Sequence, residues 1–280
     1  MYSWANLALE LTLVYMDEES GHGLFVGKAG EKYVYVGEWA DTMRHGVGVL
    51  RSSPQGKFYY QGEWKNDQRH GMGVTKYPGS TYNGQWKHDR PHGKGKVVST
   101  RHSYDGDWRC GMMDGCGVMD FTLSGEHYEG DFASNLCHGR GKWTNRDGVY
   151  EGEMALNLRH GHGTQTSPCG STYTGDWVLG MREGKGVRKQ ISDNSVYDGE
   201  WLRNKPHGIG RASRADGFVY DGNWFDGLRH GQGHQTYPDG STYVGEWFGG
   251  APHSSMEETG SKREADDLQG SGSDGKRIKV

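Results

Sequence analysis

Aliphatic side chains are scarce in this sequence: Leu, Ile, Val and Phe together supply 41 of its 280 residues. A shortage of that size excludes an ordinary globular core and commonly accompanies disorder. Disorder also calls for high net charge and few rings, whereas this chain carries a formal charge of −4 with 10 Trp and 16 Tyr. It must therefore fold around rings and its 48 glycines, each ring buried against a neighbour along the chain and not in one centre. The cysteines are few, Cys110, Cys116, Cys137 and Cys169, and none forms a CxxC pair. That excludes a disulfide scaffold and points to a reducing, cytoplasmic setting; the absence of any Asn-x-Ser/Thr sequon agrees with it. Positive charge is not in excess, with 32 Lys and Arg against 36 Asp and Glu, so nucleic acid is not expected as a partner. Long apolar runs are also missing. The stretch from Leu7 to Tyr15 is too short and too interrupted to span a bilayer or act as a signal sequence.

What the chain does contain is a repeat. Tyr-x-Gly-x-aromatic recurs with its tyrosine at 35, 60, 82, 104, 128, 150, 173, 197, 220 and 243, at intervals of 22 to 25 residues. Ten residues after each of the first nine tyrosines stands x-Gly-x-Gly, as in His70-Gly71-Met72-Gly73. Nine successive copies at one fixed offset do not arise by chance. Period-2 alternation in Thr81-Tyr82-Asn83-Gly84-Gln85-Trp86 puts Tyr82, Gly84 and Trp86 on one strand face. Gly71 and Gly73 likewise share a face, which predicts a socket where a neighbouring ring lies flat on backbone. Lys65-Asn66-Asp67-Gln68-Arg69 and Pro78-Gly79-Ser80 have turn composition. The fold class expected is all-β: an elongated antiparallel meander of about ten β-hairpin repeats, on the order of 90–100 Å long at ~4.8 Å per strand. In two typical units the packing is expected to rest on Tyr60, Gly62, Trp64, Gly71, Gly73, Tyr82, Gly84, Trp86, Gly93 and Gly95.

The array is expected over 35–250. Residues 1–34 read as an N-terminal cap strand and degenerate repeat in which Leu7, Leu9, Leu11 and Leu13 alternate, and 251–280 as a disordered polar tail. The tenth unit, Tyr243-Val244-Gly245-Glu246-Trp247-Phe248, is expected to stop without a second strand, leaving an edge for a homodimer. In the tail, Lys262-Arg263 and Lys276-Arg277-Ile278-Lys279 have the spacing of a bipartite nuclear-import signal, although a solvated tail of balanced charge explains them better.

This pattern resembles the MORN (membrane occupation and recognition nexus) repeat, whose units run Y-x-G-x-W-x(n)-H-G-x-G with a period in the low twenties. Tyr60-Gln61-Gly62-Glu63-Trp64 followed by Arg69-His70-Gly71-Met72-Gly73 carries the likeness. The sequence departs from it in mid-array, where Asp114 and Glu183 replace the His, and Phe132 and Met154 the Trp. Those losses, with Met112, Met113 and Met119 gained, are expected to loosen the packing of units four to six and expose apolar surface as a hinge or partner site, drift in a redundant array being the equal alternative. The resemblance implies a non-catalytic scaffold or strut that binds other proteins, as similar arrays do in axonemal radial spokes and cytoskeletal collars. Its implied location is the cytoplasm, in a cytoskeletal or ciliary assembly. The rival implication is a membrane-tethering or phosphoinositide-binding module, since similar repeats occur in junctophilins and plant phosphatidylinositol phosphate kinases.

Residues that could carry chemistry have a simpler reading. Histidines 45, 70, 92, 138, 160, 207 and 230 hold one repeat position. Equivalent residues lie two strands, or roughly 9–10 Å, apart, too far to share a zinc whose ligands stand about 2.1 Å away, so no metal is expected. The position before the motif aromatic is Glu38, Glu63, Gln85, Asp107, Asp131, Glu153, Asp176, Glu200, Asn223 and Glu246. It reads as a solvated ladder, a negative stripe opposed to anionic lipid, with Arg44, Arg69, Arg159, Arg182 and Arg229 neutralising part of it by cross-strand pairing. No Gly-x-Gly continues as G-x-G-x-x-G, so no nucleotide cofactor is expected. Since every motif repeats, no unlike constellation forms an enzyme's pocket, and no catalytic residue is assigned.

Overall fold

The computed structural model describes residues 11–17, 22–27, 33–52 and 57–253, and among them there is no helix. The chain divides into two units, residues 1–145 and 146–280. The first holds β1 (Leu11–Asp17), β2 (His22–Gly27), β3 (Tyr33–Ala40), β4 (Met43–Ser52), β5 (Tyr59–Lys65), β6 (Gln68–Tyr77), β7 (Ser80–Lys87), β8 (Arg90–Ser99), β9 (His102–Arg109), β10 (Met112–Phe121), β11 (Glu126–Ala133) and β12 (Leu136–Asn145). The second holds β13 (Gly148–Ala155), β14 (Leu158–Thr166), β15 (Thr172–Val178), β16 (Met181–Lys189), β17 (Val196–Leu202), β18 (Lys205–Ser213), β19 (Val219–Phe225), β20 (Leu228–Thr236), β21 (Thr242–Phe248) and β22 (Ala251–His253). Within each unit every strand pairs antiparallel with its sequence neighbours, the meander read from the repeat.

Hairpins form because the turns are built for them. In all ten motif units two residues join the strands, and both have positive φ, as at Asn66 (49°) and Asp67 (64°) or Asp226 (50°) and Gly227 (87°). That is a type I′ turn, whose twist matches the strands it joins and which favours Asn, Asp and Gly. Nearby lies a bulge: Glu63 pairs with His70, whereas Gly62 pairs with Gly73. Gly71 and Met72 are the two extra residues; Gly71 sits at φ +53°, in the left-handed region where a side chain is strained, and a Cβ there would overlap the Glu63 carboxylate.

The second glycine of the pair serves a different purpose. A Cβ on Gly73 would sit inside the Tyr60 ring, and one on Gly62 would meet the Gly73 backbone. The ring on this socket thus belongs to the same hairpin, a correction to the expectation that a neighbour's ring fills it. In all ten units the tyrosine O–H donates to the carbonyl three residues on, at 2.8 to 3.2 Å. What reaches between hairpins is the tryptophan. Trp86 Nε1–H donates to Gly73 O of the preceding hairpin at 3.1 Å, and its ring meets Tyr60 edge-on at 5.5 Å. Trp64, Trp108, Trp177, Trp201 and Trp224 make the same bond. Each buried ring is worth about 4–6 kcal/mol as an upper bound, from 150–250 Å² at ~25 cal/mol/Å². A hydrogen bond contributes a net ~1 kcal/mol. Ring burial therefore dominates, and the hydrogen bonds fix register.

The tenth unit differs from expectation. Residues 251–253 form β22, which pairs with β21 through Glu246, Trp247 and Phe248, so the edge expected along Tyr243–Phe248 is partly covered. Leu7, Leu9, the tail beyond residue 253 and its basic pairs lie outside the described residues.

Gly95→Ala forces a Cβ against the Tyr82 ring and is expected to cost about 1–3 kcal/mol in urea melts. Tyr82→Phe removes only a hydroxyl and should cost about 1 kcal/mol. The double variant is expected to lose less than the sum of the two; strict additivity would mean the ring does not lie on that glycine.

Candidate functional site

At eight junctions between successive hairpins the second turn residue donates its N–H to the carbonyl of the residue before the His position of the preceding unit. These bonds run from Asp67 to Arg44 (3.0 Å), Asp89 to Arg69 (3.2 Å), Gly111 to Pro91 (2.8 Å) and Asn135 to Met113 (2.9 Å) in the first unit. In the second they run from Gly180 to Arg159, Asn204 to Arg182, Gly227 to Pro206 and Gly250 to Arg229. Where the turn residue is Asp or Asn, its side chain accepts the return N–H, as Asp67 does from Arg44 at 2.9 Å and Asn204 from Arg182 at 2.9 Å. Proline has no N–H to offer, and opposite Pro91 and Pro206 the turn residue is glycine.

The arginines of this clamp are on the ring face and not among the acidic ladder they were expected to neutralise. Arg44, Arg69, Arg159, Arg182 and Arg229 lie over Trp64, Trp86, Trp177, Trp201 and Trp247 at 4.2 to 4.6 Å. Arg44 and Arg69 also pair with Asp67 and Asp89, whose carboxylates are nearly half exposed. Such pairs contribute about 0–1 kcal/mol, so the guanidinium's contact with the indole, ~0.5–2 kcal/mol, matters at least as much. A shallow cavity of about 310 Å³ opens here, lined by Tyr33, Phe58, Trp64, Tyr77, Arg44 and Arg69. Both guanidiniums are already engaged, so the cleft suits a ring or an apolar side chain better than an anion.

On the opposite face the acidic ladder is not simply solvated. Glu63 Oε1 accepts the Met72 N–H at 2.7 Å, and Glu38, Gln85, Asp107, Asp131, Glu153 and Asp176 cap the equivalent amides of Val47, Lys94, Cys116, Arg140, His162 and Lys185. These groups close the bulge that the glycine opens. Among the described residues no group of three His, Cys, Asp or Glu is placed to hold a metal. The ten residues singled out for packing in units two and three form one continuous assembly: Tyr60, Trp64, Tyr82 and Trp86 pack edge to face along the ring face, Gly62, Gly73, Gly84 and Gly95 lie under the tyrosines, and Gly71 and Gly93 admit the caps.

The divergent units pack as tightly as the others, against expectation. Phe132 takes the tryptophan's place at 4.9 Å from Tyr104 and 5.1 Å from Tyr128, and it is buried together with Met113, Met119, Cys137 and Met154. Met112 alone of the expected exposed methionines is open to solvent. The larger exposed apolar surface is in the second unit, at Val178, Leu202, Phe225, Leu228 and Phe248. Sequence reading missed all of these but Phe248, which it placed on the terminal edge, because they sit at a position outside the motif.

Ten segments, 35–57, 60–81, 82–100, 104–122, 128–149, 150–172, 173–190, 197–219, 220–242 and 243–255, match the MORN repeat. They make up well over half of the sequence, and the chain belongs to the MORN repeat family, a non-catalytic repeat module. It is similar to MORN repeat-containing protein 3 of Xenopus laevis, 32% identical over 97 residues. That match covers 32% of this chain and 31% of the relative, so the chain spans less than a third of that protein's length. Among solved structures, the wild-type TCP10 domain of Danio rerio CPAP in complex with a peptide of Danio rerio STIL aligns at 11% identity and a TM-score of 0.41. The alignment covers 76% of this chain and 93% of that one, a likeness too slight to bear on function.

The thiols differ enough to be told apart. Burial pushes Cys137 up to about 12, whereas hydrogen bonding with the Ser167 and Ser171 side chains lowers exposed Cys169 to about 7. Iodoacetamide at neutral pH is expected to alkylate Cys169 quickly and Cys137 only after unfolding; equal native rates, read by mass spectrometry, would contradict this placement.

Proposed function

We propose that the chain is a non-catalytic scaffold that presents repeated side-chain surfaces to protein partners, in a cytoskeletal or ciliary assembly of the kind its resemblance implies. One observation supports this reading above others: the polar groups that recur at motif positions are taken up by the fold itself. The acidic position caps a bulge amide, the tyrosine hydroxyl serves a carbonyl of its own hairpin, and the arginine lies on an indole. Among the described residues no unlike acid, base and nucleophile converge, which an active site requires. Surface variety comes from positions the repeat leaves free.

A second reading, binding to anionic lipid, is favoured by one feature. On the face opposite the rings, Lys65, Lys76, Lys87 and Arg90 are exposed along β5 to β8, where the carboxylate is Glu63, already bound to the Met72 amide. The negative stripe read from the sequence is therefore interrupted in units two and three. Vesicle flotation at physiological salt separates the two readings. A scaffold for proteins stays out of the lipid fraction with and without phosphoinositide. Recovery with phosphoinositide vesicles, lost in Lys87→Glu/Arg90→Glu, would establish the tether instead.

A further inference from the structure

In the second unit, the residue after each motif aromatic and the first residue of the following strand pair across the hairpin end, as Val178 does with Met181, Leu202 with Lys205 and Phe225 with Leu228. These positions alternate with the tryptophan and arginine positions and so lie on the face opposite the rings. Side by side they make a row in which Leu158, Val178, Leu202, Phe225, Leu228 and Phe248 are 41% to 68% exposed. Lys205 is the one cation in it. The geometry of the hairpin does not demand this, because the same positions of units two and three in the first unit are Lys65, Gln68, Lys87 and Arg90.

We propose that this row is the docking site for an amphipathic α-helix of a partner protein, lying across the strands. The proposal rests on the scaffold reading and names its partner class. Spacing is the first reason. Paired members are about 5 Å apart across each hairpin and equivalent residues of successive hairpins about 9.6 Å, with His207 and His230 standing beside Phe225 and Phe248 at the junctions. A helix presents side chains i and i+3 or i+4 about 4.5–6 Å apart and i and i+7 about 10.5 Å apart, so one apolar stripe follows the row through several hairpins. Area is the second. A strip ten strands long and one side chain wide offers ~300–400 Å², well short of the ~800 Å² per partner of a stable dimer but suited to a single helix. Held rings are the third. Phe225 is flanked by His207 and His230 at 5.3 and 5.6 Å, and Phe248 by His230 and His253 at 5.5 and 6.1 Å, which keeps both rings standing at the surface. Lys205 is already paired with Asp226 at 2.6 Å, so what the row offers a helix is apolar contact.

The test uses the full chain and a fluorescein-labelled four-heptad model helix, with Leu at i, i+3 and i+7 and Glu and Lys elsewhere. Its control is a peptide of the same composition, permuted so that the apolar stripe is broken. Anisotropy titration at physiological salt is expected to give a Kd of roughly 10–100 µM for the striped peptide and none measurable for the permuted one. Phe225→Ser/Phe248→Ser should weaken binding roughly tenfold or more. Ile209→Ser, exposed on the same face but outside the row, should leave it unchanged. Leu228→Lys is the second row variant if the phenylalanine pair alters the circular dichroism spectrum. Equal affinity for both peptides, no binding, or full affinity in the row variants would each overturn the proposal. So would sedimentation showing self-association that the row variants abolish, which would assign the row to a second copy. None of these outcomes touches the flotation result on which the scaffold reading depends.

Discussion

A tyrosine ring lying on two glycines governs the rest of this structure. The ring needs bare backbone beneath it, so the two strands of each hairpin must both present glycine at the same level, as Gly62 and Gly73 do under Tyr60. With the ring down, its hydroxyl bonds inside the hairpin, and its edge and face are left for the tryptophans on either side. The tryptophan of the next hairpin then has one place to go, against that tyrosine, with its indole N–H on the glycine carbonyl. Packing thus propagates from each hairpin to the next, and a chain poor in aliphatic residues still folds because each ring is buried by its neighbours.

Much of this was legible in the sequence. Alternation of Tyr, Gly and Trp set the ring face, and the composition of Lys65-Asn66-Asp67-Gln68-Arg69 and Pro78-Gly79-Ser80 marked turns. Other features were not legible because they depend on which backbone group a side chain reaches. Glu63 in a strand looks solvated by pattern alone; only the bulge brings the Met72 amide under its carboxylate. Arg69 stands next to His70 and reads as a partner of the acids across the strand, yet it pairs with Trp64 and lies on the ring face over Trp86. Phe132 in place of tryptophan suggested loosened packing, but a smaller ring at the same level still meets both tyrosines. One signal could have been used: at these junctions every Asp or Asn at the second turn position faces a residue with an N–H to give, Arg44, Arg69, Met113 or Arg182, while Pro91 and Pro206 face glycine, as Arg159 and Arg229 also do.

The division between motif and free positions explains how a uniform fold carries local identity. Residues in the ladder cannot change without disturbing a neighbour, while those at the hairpin ends can. In the first unit, repeats two and three place Lys65, Gln68, Lys87 and Arg90 there, and in the second unit the same positions are Leu, Val, Phe, Met and Ala apart from Lys205. One sheet design therefore offers a basic patch at repeats two and three and a largely apolar row in the second unit.

The burial of the tyrosine hydroxyls is open to direct measurement. Nine of the ten motif tyrosines have pKa values raised above the usual 10.0, chiefly by desolvation, with Tyr150 and Tyr220 pushed up to about 12. Since the folded-state values lie above the unfolded one, the associated stability is complete below pH 10 and is lost as pH rises through the folded-state values. In a spectrophotometric titration followed in parallel by circular dichroism, these phenols should remain protonated at about pH 11 while the sheet is intact, and ionise together as it unfolds. Ionisation of all the tyrosines near pH 10 with the β spectrum unchanged would show that the rings do not lie buried on the glycine pairs.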